Sequence, residues 1–168
     1  MSVIRWTVYE SPIGPLTLVM GPRGLTDLNF PGRMKVPEEA TKGPLPEVNE
    51  QLEAYFAGEL RDFDLAVDLH GTELQKAVWS RLREIPYGET ISYGELAARV
   101  DPGLFEAGVE PWQRARVVGG TNGRNPVSIV VPCHRVIGAD GSLTGYGGGL
   151  HRKQALLDLE RNRQMAIL

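Results

Sequence analysis

The chain of 168 residues holds a single cysteine, Cys133, so no internal disulfide framework can form and a reducing, cytoplasmic setting is expected. Histidines number three, His70, His134 and His151, and they are scattered, which speaks against a structural zinc site. No apolar run approaches the length of a membrane span, and Met1–Arg5 does not open as a secretion signal. Acidic residues are absent between Glu110 and Asp140, where Arg114, Arg116, Arg124 and Arg135 stand. A basic strip on a chain of net charge −3 suits a polyanion that touches one face only. The acids are concentrated elsewhere: residues 1–70 carry 6 Lys/Arg and 11 Asp/Glu, hence −5, and residues 71–168 carry 12 and 10, hence +2.

What is present divides near His70–Gly71, giving two expected domains, 1–70 and 71–168. In the first, Ile4–Tyr9, Leu16–Met20 and Leu25–Phe30 read as strands separated by Pro/Gly turns, an antiparallel meander. Pro31–Pro46 reads as a mobile loop. Val48, Leu52, Tyr55 and Phe56 recur at helical spacing up to Gly58, and Phe63, Leu65, Val67 and Leu69 alternate as a final strand. The second domain reads as mainly helical. Thr72-x-x-Gln75 and Ser92-x-x-Glu95 are capping boxes that open two helices, the latter over Tyr93–Val100. A helix from about Trp112 to Gly120 and a last one from Arg152 to about Arg163 follow. Two short helices joined by a turn suggest a helix-turn-helix.

Two segments carry chemistry. Ala115, Gly119 and Gly120 leave one face of the 112–120 helix nearly bare, although each glycine costs roughly 1 kcal/mol of helix propensity. A bare face lets backbone press against a narrow surface such as a DNA groove, and Arg116 beside it suits a phosphate or a base stack. Farther on, the β-branched run Ile129–Val131 reads as a strand that Pro132 must end or bend. It delivers Cys133 with a base, His134, and a cation, Arg135, adjacent in sequence, the neighbourhood of a nucleophilic thiolate. Asn125-Pro126 precedes the run, and Thr144–Gly149 supplies a glycine-rich loop able to bring backbone N–H groups close to a ligand.

Taken in order, Ile85–Thr90, Ser92–Gly94, Ala115–Gly120, Asn125-Pro126, Pro132–Arg135, Gly145–Gly149 and Leu156–Glu160 closely resemble the O6-alkylguanine-DNA alkyltransferases. The resemblance is strong over 71–162 and weaker over the first 70 residues. It implies an α+β chain: a small antiparallel-sheet domain with a helix, ribonuclease-H-like, then a winged-helix-like domain containing the helix-turn-helix. It further implies single-turnover transfer of the alkyl group from O6-alkylguanine in duplex DNA to Cys133, with O4-alkylthymine an open second substrate. Neither metal nor diffusible cofactor is called for, and a monomer is expected, with cooperative assembly on DNA left open.

By the same resemblance His134 is the base toward Cys133 through a water, Glu160 orients and charges the imidazole, and Tyr93 donates to the departing base. Arg116 fills the space of the flipped nucleotide, and Ala115, Gly119, Gly120, Thr121 and Asn122 meet DNA. Val136, Tyr146, Gly147 and Gly148 form the pocket, and Asn125 braces the hinge. The connection Val100–Trp112 is longer than the family's turn, acidic and aromatic, and suits a DNA contact, surface packing or a second copy equally. Three other readings are weaker. A non-catalytic lesion binder on this scaffold would lack the cysteine, a Cys-His hydrolase leaves the basic helix unexplained, and a plain helix-turn-helix regulator leaves Pro132–Arg135 unexplained.

Overall fold

The computed structural model describes residues 3–165, with side chains described up to residue 162. The chain forms two compact units. One comprises the chain up to Leu69 together with Pro126–Val130; the other comprises His70–Asn125 and the chain from Val131 onward.

In the first unit, β1 (Arg5–Ser11) and β2 (Gly14–Gly21) form a hairpin whose loop is only Pro12-Ile13, so the break at Ser11–Pro15 is narrower than the sequence suggests. The strand β3 (Gly24–Asn29) completes an antiparallel meander in the order β3-β2-β1. Leu16 and Leu18, at alternate positions of β2, point into a core with Leu25, Leu28, Leu52 and Tyr55. The helix α1 (Pro46–Phe56) contributes the last two, its proline at the first turn where no N–H is missed.

Three expectations for this unit need correction. Pro31–Pro46 is not a free loop throughout: β4 (Thr41–Lys42) adds to β1 in parallel, with Thr41 N–H donating to the Ile4 carbonyl at 2.8 Å. Residues 63–67 keep their alternating burial, residues 68 and 69 do not, and the segment makes only one bridge, Val67 to Leu25. The reason is local. The Gln51 side chain takes both the N–H and the carbonyl of Asp64, at 2.8 and 2.9 Å, leaving them unavailable to a strand.

The third correction concerns 126–131, which does not run as a strand. Val127 bridges Leu28, and Asn29 clamps the segment: its amide donates to the Pro126 carbonyl at 2.8 Å and its oxygen accepts from Ser128 Oγ at 3.1 Å. Ile129 then turns through φ 74°, a left-handed conformation that a β-branched residue adopts only at a cost of about 1–3 kcal/mol. The apolar run is therefore buried as a kinked crossing, with Ile129 1% exposed.

The second unit is built from α2 (Glu73–Leu82), α3 (Tyr93–Ala98), α4 (Arg114–Gly123) and α5 (Leu150–Met165). Both capping boxes are made: Thr72 and Ser92 accept from the N–H three residues on, and Gln75 and Glu95 return the bond. The helix α4 reaches three residues past Gly120, so its glycines lie inside it. It is held by α3 and by Trp79 of α2, whose indole N–H donates to the Thr121 carbonyl at 3.1 Å. A parallel pair, β5 (Ile91–Ser92) and β6 (Val136–Ile137), joins the start of α3 to the segment after Cys133. The 100–112 connection is ordered by 3-10 turns at Pro102–Leu104 and Pro111–Gln113. Among the described residues no helix is long and apolar enough to cross a membrane.

Gly24 and Gly32 both have positive φ, +144° and +84°, but a Cβ on Gly24 would lie 2.7 Å from the Ala66 backbone whereas Gly32 faces open space. Gly32→Ala is therefore expected to cost about 1 kcal/mol and Gly24→Ala well over 2 kcal/mol, read as the shift in urea midpoint.

Candidate active site

Pro132 ends the crossing and a single 3-10 turn, Cys133–Arg135, follows, all three residues buried. The turn is fixed from behind by amides. Asn125 donates to the Val131 carbonyl at 2.7 Å, and Asn122 donates to the Cys133 carbonyl at 3.2 Å. Asn125 thus braces the entry to the turn. Asn122 is not on the surface: it is 1% exposed, as Thr121 is 5%, so neither is placed to meet DNA as the sequence suggested. Both lie on the inner face of α4, where their polar groups serve the protein backbone.

His134 lies wholly inside, its Nε2 2.8 Å from Glu160 Oε2. Glu160 comes from α5 and is equally buried. Its carboxylate also accepts from Arg135 Nε at 2.8 Å and Nη2 at 3.1 Å, and from the Gly88 N–H at 3.3 Å. Arg135 completes its own bonding on the Ile85 carbonyl at 2.7 Å. Burial by itself would raise the Glu160 pKa, but His134 and Arg135 outweigh it and hold the carboxyl well below its ordinary 4.5. An ionised carboxylate only accepts, so His134 Nε2 carries the proton of that hydrogen bond. Burial is also the largest influence on His134, and it holds the imidazole below its ordinary 6.5 despite Glu160. The resting ring is therefore neutral, contrary to the expectation that Glu160 charges it. Its Nδ1, buried and without a hydrogen-bond partner in the protein, is left as a lone pair.

Arg135 does not serve Cys133 as the adjacent cation. A cation that does interact electrostatically with the thiol is Lys153, which sequence reading missed. Lys153 is fully buried on α5, and its Nζ donates to the Val136 carbonyl at 2.5 Å and the Thr144 carbonyl at 2.9 Å. Burial lowers its pKa to about 8, opposed by electrostatic interaction with Cys133. A signal existed. Lys153, Leu156, Leu157 and Glu160 follow the i, i+3, i+4, i+7 pattern of one buried helical stripe, and two of its four members are charged.

Tyr93, at the first turn of α3, donates its hydroxyl to the same Thr144 carbonyl at 2.8 Å. Its pKa is raised, by burial first and by Cys133 as a lesser influence, so the phenol remains a donor. It lines a cavity of about 350 Å³ with Ala115, Arg116, Gly119, Thr144 and Gly145, within the usual range of ligand clefts. A Cβ on Gly119 would touch the Tyr93 ring at 3.5 Å, and Gly145, at φ +59°, approaches its hydroxyl equally closely. Gly120, in contrast, faces open space. The wall supplied by the glycine run is Thr144 and Gly145. Val136, Tyr146, Gly147 and Gly148, expected in the pocket, do not line this cavity: Val136, Tyr146 and Gly148 are buried and Gly147 is exposed. The run turns inward at Tyr146 because Lys153 and Arg152 hold its carbonyls at Thr144 and Gly148.

Glu160→Gln removes the charge that compensates buried Arg135 and is expected to cost about 3 kcal/mol at pH 7 in chemical denaturation. Groups with depressed folded pKa lose their stabilisation as pH falls. Wild-type stability should therefore drop below pH 6.5 through His134 and again below 4.5 through Glu160. The second drop should be absent from the Glu160→Gln profile.

Comparison with known proteins accounts for this arrangement. Residues 73–162 match the family described as 6-O-methylguanine DNA methyltransferase, DNA binding domain, and residues 4–69 its ribonuclease-like domain. A Mycobacterium tuberculosis protein named methylated-DNA–protein-cysteine methyltransferase is 48% identical over 99% of this chain and 98% of its own length. One of that name from Methanosarcina acetivorans is 47% identical over 92% and 97%. The crystal structure of the Mycobacterium tuberculosis O6-methylguanine methyltransferase matches with TM-score 0.79 at 48% identity, covering 97% of this chain and 94% of that one. The same organism's enzyme in complex with DNA matches with TM-score 0.82 at 49% identity, covering 95% and 94%. With matches that span nearly the whole chain, and both domains in order, the chain belongs to the 6-O-methylguanine DNA methyltransferase family.

Proposed function

We propose that this protein repairs alkylated DNA by direct reversal, moving the alkyl group from O6 of guanine to Cys133. The observation that carries the reading is the buried relay behind the thiol. Glu160 is ionised, His134 is neutral with its Nδ1 lone pair unspent, and Cys133 lies beside it in the same 3-10 turn. In the reaction Nδ1 takes the thiol proton, through a water, and the imidazolium that forms is stabilised by Glu160. Lys153 favours negative charge on sulfur while that proton leaves. The sulfur attacks the alkyl carbon, the C–O6 bond breaks, and its electron pair stays on the guanine, which ends as the normal base after taking up a proton. A thioether has no route back to the thiol, so each molecule acts once.

Charge on the departing guanine needs a donor. Tyr93 lines the cavity and keeps its proton, which suits it to donate to the base. Its hydroxyl must first leave the Thr144 carbonyl, and that exchange leaves no orphan because Lys153 still donates there. Arg116 is exposed on α4 beside the small face of Ala115 and Gly119 and suits the place of the flipped nucleotide. The partner is duplex DNA bound through the second unit, and a reactive lone thiol fits the reducing cytoplasm.

Incubation with duplex containing O6-methylguanine should add one methyl group to the intact mass, on Cys133, and none in Cys133→Ala. Sustained turnover would overturn the reading. Arg116→Ala should slow transfer from duplex far more, about a hundredfold, than from free O6-benzylguanine. Lys153→Met should slow both substrates to a similar extent, because it loosens the thiol's surroundings rather than the DNA contact.

A further inference from the structure

Among the described residues the most exposed large apolar side chain is Trp112, at 79%. A single exposed apolar residue means little in itself. Here, however, the connection that carries it is built to present it. Phe105, near the middle of the connection, is buried with the Arg114 guanidinium over its ring at 5.3 Å. Asp101 Oδ1 accepts from the Gly103 N–H at 2.9 Å. The turn Pro111–Gln113 is closed by the Glu110 N–H on Gln113 Oε1 at 2.8 Å. One aromatic of the connection is thus the foot and the other is held out in solvent.

Its position points to a partner. Trp112 sits one turn before Arg116 and inside the acid-free stretch that begins after Glu110. A groove of about 210 Å³ lined by Gly94, Ala97, Ala98, Pro111, Arg114 and Ala115 runs beside it. Ala115 is shared between this groove and the Tyr93 cavity. The two depressions therefore meet at Ala115, and the groove extends to Pro111, the residue before the tryptophan. Four residues of mixed 3-10 and α winding span roughly 7 Å along the axis, about two base-pair steps.

Given the proposed role of α4, we infer that Trp112 is a second DNA-contacting side chain, stacking on sugars and base edges of the duplex beside the flipped nucleotide. Charge narrows the type of contact. Asp101, Glu106 and Glu110 precede the tryptophan, and the connection from 101 to 113 holds no Lys or Arg. Such a segment disfavours phosphates, so the contact is apolar stacking and releases no counterions of its own.

The test uses full-length protein labelled with 5-fluorotryptophan, the Trp112 resonance being assigned by its loss in Trp112→Phe. Saturating undamaged duplex should shift that line and remove its H2O/D2O isotope shift, while the buried Trp79 line stays in place. Trp112→Ala, at an exposed position, should keep the wild-type melting temperature and weaken duplex binding roughly tenfold. The slope of log affinity against log salt should stay the same. A Trp112 line that keeps its solvent shift on saturating duplex would overturn the inference. So would a variant that binds duplex normally yet loses self-association, which would make the surface a contact between copies. The reading of α4 fails separately, by Arg116→Ala losing equally on duplex and free base.

Discussion

Everything around the thiol depends on one buried carboxylate. Glu160 takes hydrogen bonds from His134, twice from Arg135, and from the Gly88 backbone. It thereby joins the last helix, the cysteine turn and the turn after α2. Taking that charge out of water costs several kcal/mol, and only this full set of donors offsets it. The same bonds decide the chemistry. An ionised carboxylate fixes which imidazole nitrogen bears hydrogen, and the tautomer leaves the other nitrogen as a base. Burial keeps that base neutral until a proton is offered, which is the state a nucleophile partner needs.

A second economy is the Thr144 carbonyl, which accepts from Tyr93 and from Lys153 together. With both lone pairs used, the start of the glycine run is held at the cavity wall. One donor can depart toward a ligand while the other keeps the carbonyl satisfied. Lys153 thus couples the loop to the thiol's electrostatics through a single side chain, and it does so from the helix that also supplies Glu160.

Much of this was legible from sequence for identifiable reasons. The capping boxes at Thr72 and Ser92 are local, four-residue interactions, and both formed. The meander and α1 followed from side-chain periods that do not depend on distant partners. The nucleophile and its base are adjacent, so their pairing required no folding information. Failures came where a distant group took over a backbone polar atom. Gln51 did so at Asp64, Asn29 at Pro126, and β1 at Thr41. Each replaced the structure that local propensity favoured.

By itself the sequence determined the cysteine, its histidine, the bare arginine-bearing helix and the order of motifs, because these are covalent or one-turn relationships. Only tertiary structure decided which cation serves the thiol, that Asn122 and Thr121 face inward, and that the imidazole rests neutral. Those are outcomes of burial, and burial is a property of the packed chain rather than of any segment. Arg135, nearest Cys133 in sequence, was drawn to Glu160, while Lys153, twenty residues away, interacts electrostatically with the thiol. Helix α5 accomplishes both with one stripe, because residues seven apart share a helical face.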